Sequence, residues 1–313
     1  MSNSGNLAQA IRQNIASVLL GAEDAITLAL ASFLCGGHLL IEDAPGLGKT
    51  LLAKAFSRTF DLDYKRVQCT PDLLPADITG VSMYNPKDGE FRFVPGPVFA
   101  NIVLADEINR ATPRAQSALL ESMAETQVSV DGVTHKLDKP FMVIATQNPI
   151  EFSGTHPLPE AQLDRFFMRI SMGYPEESHE LQMMTMHQHQ EPIDSLQAVA
   201  GEAQVVQLQA ETREIQVDQK VMQYIAAIVR ATRDFDGVDL GASPRGSMAL
   251  MKASQALALL TGSSFVTPQM VKKLAVPVLA HRLVLAHRKQ LSGSSAAHVI
   301  EDILGQVKTP VGV

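Results

Sequence analysis

The stretch that most restricts the fold runs from Leu39 to Phe56. It reads as a short apolar strand, Leu39-Leu40-Ile41, then Glu42-Asp43-Ala44-Pro45-Gly46-Leu47-Gly48-Lys49-Thr50, then a helical pattern with Leu51-Leu52 and Ala55-Phe56. Strand, glycine loop, Lys-Thr and helix, in that order, make a phosphate cradle. The glycines let backbone N–H groups converge on phosphate oxygens, and the helix N-terminus adds a positive dipole end. Lys49 adds a point charge, and the Thr50 hydroxyl can ligate Mg²⁺. Pro45, Gly46, Leu47, Gly48, Lys49, Thr50 and Leu51 are therefore the candidate nucleotide contacts. The pattern GxxxxGK[ST] asks for glycine where Asp43 stands, so it is met only in part.

Further along, Ile102-Val103-Leu104-Ala105 leads into Asp106-Glu107. Adjacent acids at the end of a buried strand are costly unless they bind something, and Mg²⁺ and a water are the natural partners. Asp106 would sit in the metal shell and Glu107 would orient or deprotonate the attacking water; an acidic helix start is the purely structural alternative. Met142-Val143-Ile144-Ala145 ends in Thr146-Gln147-Asn148-Pro149, a second polar tip where α/β folds place ligands. Asn148 can polarise a γ-phosphate or a water, or serve as a turn residue before Pro. Arg165, within Leu163-Asp164-Arg165-Phe166, and Arg245, after a Ser243-Pro244 helix start, carry planar forks suited to a γ-phosphate.

Periodicity supplies the frame around these motifs. Leu7, Ile11, Ile15 and Val18, then Ile26, Leu30 and Phe33-Leu34, predict two helices before the first strand. Further strands are predicted at Arg66 to Gln68, Ile102 to Ala105, Met142 to Ala145 and Met168 to Met172, with a helix over Ala115 to Glu125. Alternating strands and helices indicate an α/β fold with a parallel sheet. Two hairpins interrupt it, near 81–94 around Tyr84-Asn85-Pro86-Lys87-Asp88-Gly89 and near 128–136 around Asp131-Gly132. After Tyr174-Pro175 strand-type runs give way to helical spacing, as in Val221, Ile225, Ile228-Val229 and Met248, Leu250-Met251, Leu257. The expected domains are 1–176 and 177–313, with a polar, Gln-rich linker near 188–209.

Composition narrows the function classes. Hydrophobic residues make up 46% of the 313, enough for a sizeable core. Lys plus Arg number 26 against 33 Asp plus Glu, a net charge of -7 with no acidic tail, which argues against a general nucleic-acid coat. The two cysteines, Cys35 and Cys69, have no metal-ligand spacing, which fits a reduced, cytoplasmic setting. No apolar run approaches the roughly 20 residues of a membrane helix, and the N-terminus shows no signal-peptide pattern.

Taken together, EDAPGLGKT, QCTPDLLPADITG, FVPGPVFANIVLADEINRA, QSALLESMAE, VIATQNP and LPEAQLDRFFM resemble the MoxR family of AAA+ ATPases, in the helix-2-insert group. They occur in the family order over most of 21–174, with a thinner echo around 242–246. Loops of the form ExPGxGKT are common in that family, which accommodates Asp43. The resemblance implies a parallel five-stranded αβα P-loop AAA+ domain followed by a small all-α lid. It places ATP in the cleft between them and between neighbours in a ring, usually a hexamer. It implies Lys49 and Thr50 on phosphates and Mg²⁺, Asp106 and Glu107 as the second phosphate-site motif, Asn148 as first sensor, and Gly21 near the adenine. Arg165 becomes the arginine finger acting on the neighbour's ATP, and Arg245 the second sensor, in its own subunit or the next. The hairpins resemble insertions that remodel the pore face. The implied activity is ATP hydrolysis by a chaperone-like motor that remodels or matures partner proteins, often with a von Willebrand factor A domain protein; the client is not named by the chain.

A non-hydrolysing ATP-gated scaffold is opposed by Glu107. A DNA-acting ring ATPase is opposed by the acidic balance and the absence of Trp. No NKxD motif supports GTP. His187 and His189, at i,i+2, face different sides of a helix and are not expected to hold metal. Cys35 reads as a small core residue, and Met183, Met184 and Met186 as gap-filling in the lid.

Overall fold

The computed structural model describes residues 3–87, 89–149, 154–188, 191–291 and 293–311. Asp88 in the first hairpin turn and His189 lie outside the described residues. In chain order the elements are α1 (Asn3–Ala16), α2 (Glu23–Leu34), β1 (Leu39–Glu42), α3 (Lys49–Phe60), β2 (Tyr64–Gln68), α4 (Pro75–Thr79), β3 (Gly80–Asn85), β4 (Glu90–Pro95), β5 (Ile102–Asp106), α5 (Pro113–Glu125), β6 (Gln127–Val130), β7 (Val133–Lys136), β8 (Met142–Gln147), α6 (Glu160–Leu163) and β9 (Met168–Ile170). The remainder is α7 (Glu177–Met186), α8 (Glu202–Glu214), α9 (Gln219–Asp234), β10 (Val238–Leu240), α10 (Pro244–Leu260), α11 (Pro268–Leu279), β11 (Val284–Leu285), α12 (His287–Leu291) and α13 (Ala296–Gln306).

Five strands form one parallel sheet in the order β2-β5-β8-β1-β9. Strand residues alternate between two cores, because successive side chains leave opposite faces. Leu39, Ile41, Ile102, Leu104, Met142 and Ile144 join the face covered by α1, α2, α3 and the C-terminal helices. Leu40, Val103, Ala105, Val143 and Ala145 join the face covered by α4 and α5. Both faces are buried, which is why Ile102 to Ala105 and Met142 to Ala145 are continuous apolar runs. Each fully buried Leu or Ile contributes about 1.5–3 kcal/mol. α5 starts on Thr112, whose side chain accepts from the Ala115 N–H, with Pro113 at the first helical position, and it stops at Thr126 in the left-handed region.

The two hairpins form at 80–95 and 127–136, each an isolated antiparallel pair. They touch through Phe93, which stacks on His135 at 4.0 Å between ring centroids.

The C-terminal half is helical, as expected, with one addition: β10 and β11 pair antiparallel. At three and two residues they are too short to register as strand periodicity. The stretch read as a polar linker near 188–209 is a linker only as far as Gly201. From Glu202 it is α8, with Val205 and Leu208 fully buried and Gln209 donating to the Phe33 carbonyl at 2.8 Å. Ile193, Leu196 and Ala200, ahead of α8, join the same core, and all of these positions are masked in the sequence by polar neighbours. α10 packs on α1 and α2, and one continuous core joins the sheet's back face to the lid helices across the expected boundary at 176.

Candidate nucleotide site

In a parallel sheet all strands present their C-terminal ends on one edge, and the motifs meet there. β1 runs into the glycine loop, β5 into Asp106-Glu107, and the tip of β8 lies between them, with Glu42 opposite Gln147 and Ala105 opposite Ala145. Asn148 follows directly on that tip. Gly46 and Gly48 have φ of +85° and +84°, conformations other residues adopt at a cost. Gly48 is also the N-cap of α3 and supplies no side-chain acceptor, so the first-turn N–H groups of the helix face the loop uncapped. Those uncapped donors, with Lys49 and Thr50 in the first turn, fit a phosphate chain. A Thr hydroxyl and a carboxylate are hard oxygen donors and fit Mg²⁺.

Lys49 Nζ donates to the Asp43 carbonyl at 2.7 Å. Partial burial pulls its ammonium below the usual lysine range, against the nearby charges of Asp43, Asp106 and Glu107. Asp43 does not have a left-handed backbone, so glycine is not required there. Its Oδ2 accepts from Ser171 Oγ (2.9 Å), Met172 N–H (2.7 Å) and Gly173 N–H (2.9 Å), and Oδ1 from Ala44 N–H (2.9 Å). Burial pushes the carboxyl up, but these bonds outweigh it and hold it below the usual range. The departure from the glycine pattern is thus a clamp between the phosphate loop and the segment leaving β9.

The two strand-end acids are held by residues that sequence reasoning did not single out. Thr146, 1% exposed, donates to Asp106 Oδ1 at 2.6 Å and accepts from the Glu107 N–H at 2.9 Å. Glu107 itself sits at φ +58°, uncommon for a non-glycine residue. Arg66 pairs with Asp106 Oδ2, Gln68 Nε2 donates to Glu107 Oε2 at 3.1 Å, and Arg110 pairs with the same oxygen at 2.9 Å. The available signal was position: Arg66 and Gln68 end β2, directly beside β5.

Beside the loop lies a cavity of about 200 Å³ lined by Leu19, Gly21, Leu47, Leu51, Met172 and Met183, among others. That is below the ~300–1,000 Å³ of whole-ligand pockets, so it suits a base whose phosphates occupy the open loop. Gly21, placed here by resemblance, does line it. Met183 lines it too, while Met184 is 69% exposed, so these methionines are not gap-filling in the lid. α7, which carries them, has no buried residue. His187 is at the cavity wall and pairs with Glu191 at 3.4 Å. Cys35 is half-buried, its thiol donating to the Lys252 carbonyl at 3.3 Å and pushed up to about 12 by burial.

Arg165 and Arg245 are not with the others. Both line a second cavity of about 390 Å³, with Gly36, Gly37, Asp164 and Arg282. Gly36 and Gly37 directly precede β1 and Asp164 and Arg165 directly precede β9, so the cavity lies at the N-terminal edge of the sheet, opposite the phosphate loop, with Arg245 and Arg282 reaching it from the lid. Arg165 donates to the Leu120 carbonyl at 2.8 Å, and Arg245 pairs with Asp164 at 3.4 Å.

A phosphate loop, an acidic strand end and a polar tip on one edge of a 2-5-8-1-9 parallel sheet, followed by a helical lid, define a P-loop nucleotide hydrolase of the AAA+ class. Comparison with known proteins agrees. The profile for the ATPase family associated with various cellular activities matches 38–168, and an AAA lid domain profile matches 230–303. The chain is 38% identical to Chaperone MoxR1 of Mycobacterium tuberculosis, over 94% of this chain and 80% of that one. It is 32% identical to Protein MoxR of Paracoccus denitrificans, over 86% of each. It is 47% identical to the uncharacterized Bacillus subtilis protein YeaC, over 96% and 93%. A crystal structure of a provisionally named ATPase from Cytophaga hutchinsonii superposes with a TM-score of 0.91 at 36% identity, over 98% and 96% of the two chains. The chain belongs to the MoxR family of chaperone-like AAA+ ATPases. Among the described residues no helix is long and apolar enough to cross a membrane.

Proposed function

We propose that this chain is the subunit of a ring, a hexamer by family resemblance, that spends ATP to remodel partner proteins. The observation that carries the ring is the separation of the arginines. Arg165 and Arg245 share one cavity at the N-terminal edge of the sheet, while Lys49, Asp106, Glu107 and Asn148 gather at the C-terminal edge. A single chain therefore holds two halves of a site that cannot close on each other, and head-to-tail contact between copies joins them. In this reading Arg245, like Arg165, serves the neighbour's ATP.

Within the joined site, Pro45 to Leu51 would bind the triphosphate, and Thr50 and Asp106 would hold Mg²⁺, which neutralises charge on the β- and γ-phosphates. Glu107, aimed by Thr146 and Gln68, would take the proton of the attacking water, and Asn148 would orient that water against the γ-phosphate. Arg165 and Arg245 would stabilise charge developing on the transferred group. A von Willebrand factor A domain protein is the partner class that family resemblance supplies. A cytoplasmic setting is supported by the unpaired thiols Cys35 and Cys69.

The test is phosphate release with ATP and Mg²⁺ as protein concentration is raised through the range where its mass changes. Specific activity should climb with assembly. Activity that ignores assembly would place every catalytic group in one subunit and refute the reading.

A further inference from the structure

The side chain of Arg282, in the lid just after α11, is only 3% exposed. Burying a guanidinium costs several kcal/mol unless its donors are matched, and here they are. Nε donates to Asp164 Oδ1 at 2.8 Å, Nη2 to the Phe166 carbonyl at 2.9 Å, and Nη1 to the Phe167 carbonyl at 3.3 Å and to the Val278 carbonyl. Nη1 also meets His281 Nε2 at 2.8 Å; apart from Val278 and His281, the acceptors lie in the loop that carries Arg165. Asp164 has a second task, since its Oδ2 pairs with Arg245. One carboxylate thereby orders two arginines of the lid beside a third, where three cations alone would repel.

We propose that Arg282 is a positioning residue of the composite site: it bolts the Arg165 loop to the lid, so that Arg165 and Arg245 are presented to a neighbour's nucleotide as one rigid unit. The proposal rests on the reading that both arginines act on a neighbouring subunit. A lysine could not substitute, because the fork, and not the charge, matches acceptors in three directions.

The experiment is hydrolysis by mixed assemblies. R282Q alone should lose about tenfold or more in kcat with KM within about twofold of wild type, as loss of a transition-state contact requires. Mixed with Lys49→Ala, which keeps its arginines but cannot hold ATP, R282Q should regain hydrolysis. Mixed with Arg165→Ala, which holds ATP but lacks the finger, it should regain none. Regain in both pairings, in neither, or wild-type activity of R282Q alone would overturn the proposal. The control pairs Lys49→Ala with Arg165→Ala: its regain upholds the shared-site reading independently of Arg282, and its failure overturns that reading and this proposal with it. Should R282Q fail to bind a fluorescent ATP analogue, R282K, which keeps the charge and loses the fork, is judged by the same pairings.

Discussion

Thr146→Val tests whether one buried hydroxyl sets both strand-end acids, Asp106 and Glu107. Valine preserves shape and removes two hydrogen bonds, the 2.6 Å bond to Asp106 and the 2.9 Å bond from the Glu107 N–H. A bond to a charged partner is worth about 1.5–3 kcal/mol, and an orphaned buried N–H costs about 1–3 kcal/mol. Both acids are partly exposed, at 13% and 29% of their side chains, so water recovers a share and the lower end applies, about 2–3 kcal/mol in all. The larger consequence is geometric. Glu107 is held at φ +58° by a neighbour that would no longer hold it, and displacement of a water-orienting carboxylate by an ångström costs about 100-fold in rate. Urea unfolding and steady-state phosphate release should show both losses, with ATP affinity nearly unchanged, and Thr146→Ser should restore most of each. A Thr146→Val protein with wild-type kcat would refute the argument that this hydroxyl positions Glu107.

Glu107→Gln should bind ATP and release no phosphate; turnover at the wild-type rate in a phosphate assay would remove it as the base. Gly21→Ala should weaken ATP binding about five- to thirtyfold, because φ +73° costs a β-carbon about 1–2 kcal/mol and that carbon would lie 2.9 Å from His179 Nδ1, shifting the cavity wall; an unchanged titration with a fluorescent ATP analogue would count against it. Burial lowers His38 from 6.5 to about 4 while its Nδ1 accepts from the Val143 N–H. The unfolded chain therefore binds the extra proton first, and stability should fall by about 1.4 kcal/mol per unit as pH drops from 6.5 toward 4. His38→Gln should flatten that slope in urea midpoints, and a slope that survives would refute the assignment.

Much of this site was legible because phosphate chemistry is local in sequence. The glycine loop, Asp106 and Asn148 each follow or end a strand, Lys49 and Thr50 open the helix after that loop, and apolar runs reveal strands. What stayed hidden was lateral. Arg66 and Gln68 matter because β2 lies beside β5, and Thr146 because β8 lies on the other side, and strand order is not written in periodicity. Arg282, within Ala280-His281-Arg282, has no motif at all; its role exists only once α11 is packed against β9. The buried side of α8 was masked for a different reason. Val205 and Leu208 make a stripe of two among glutamines, too narrow to stand out from a solvated segment.

Asp43 shows what a mismatch to a motif can mean. β9 is three residues long and is pinned by β1 through Leu39 opposite Met168 and Ile41 opposite Ile170. At its exit, Ser171, Met172 and Gly173 are tied to Asp43 in the phosphate loop. At its entry, Phe166 and Phe167 are tied to Arg282 beside the cavity that Arg165 and Arg245 line. A paired strand does not stretch, and packed interiors transmit displacement more readily than they absorb it. Any shift of the phosphate loop must then either break the Asp43 clamp or move β9, and with it the loop bearing Arg165. A carboxylate at position 43, held below the usual carboxylate range and matched by four donors, ties the phosphate loop to the strand whose other end carries the Arg165 loop.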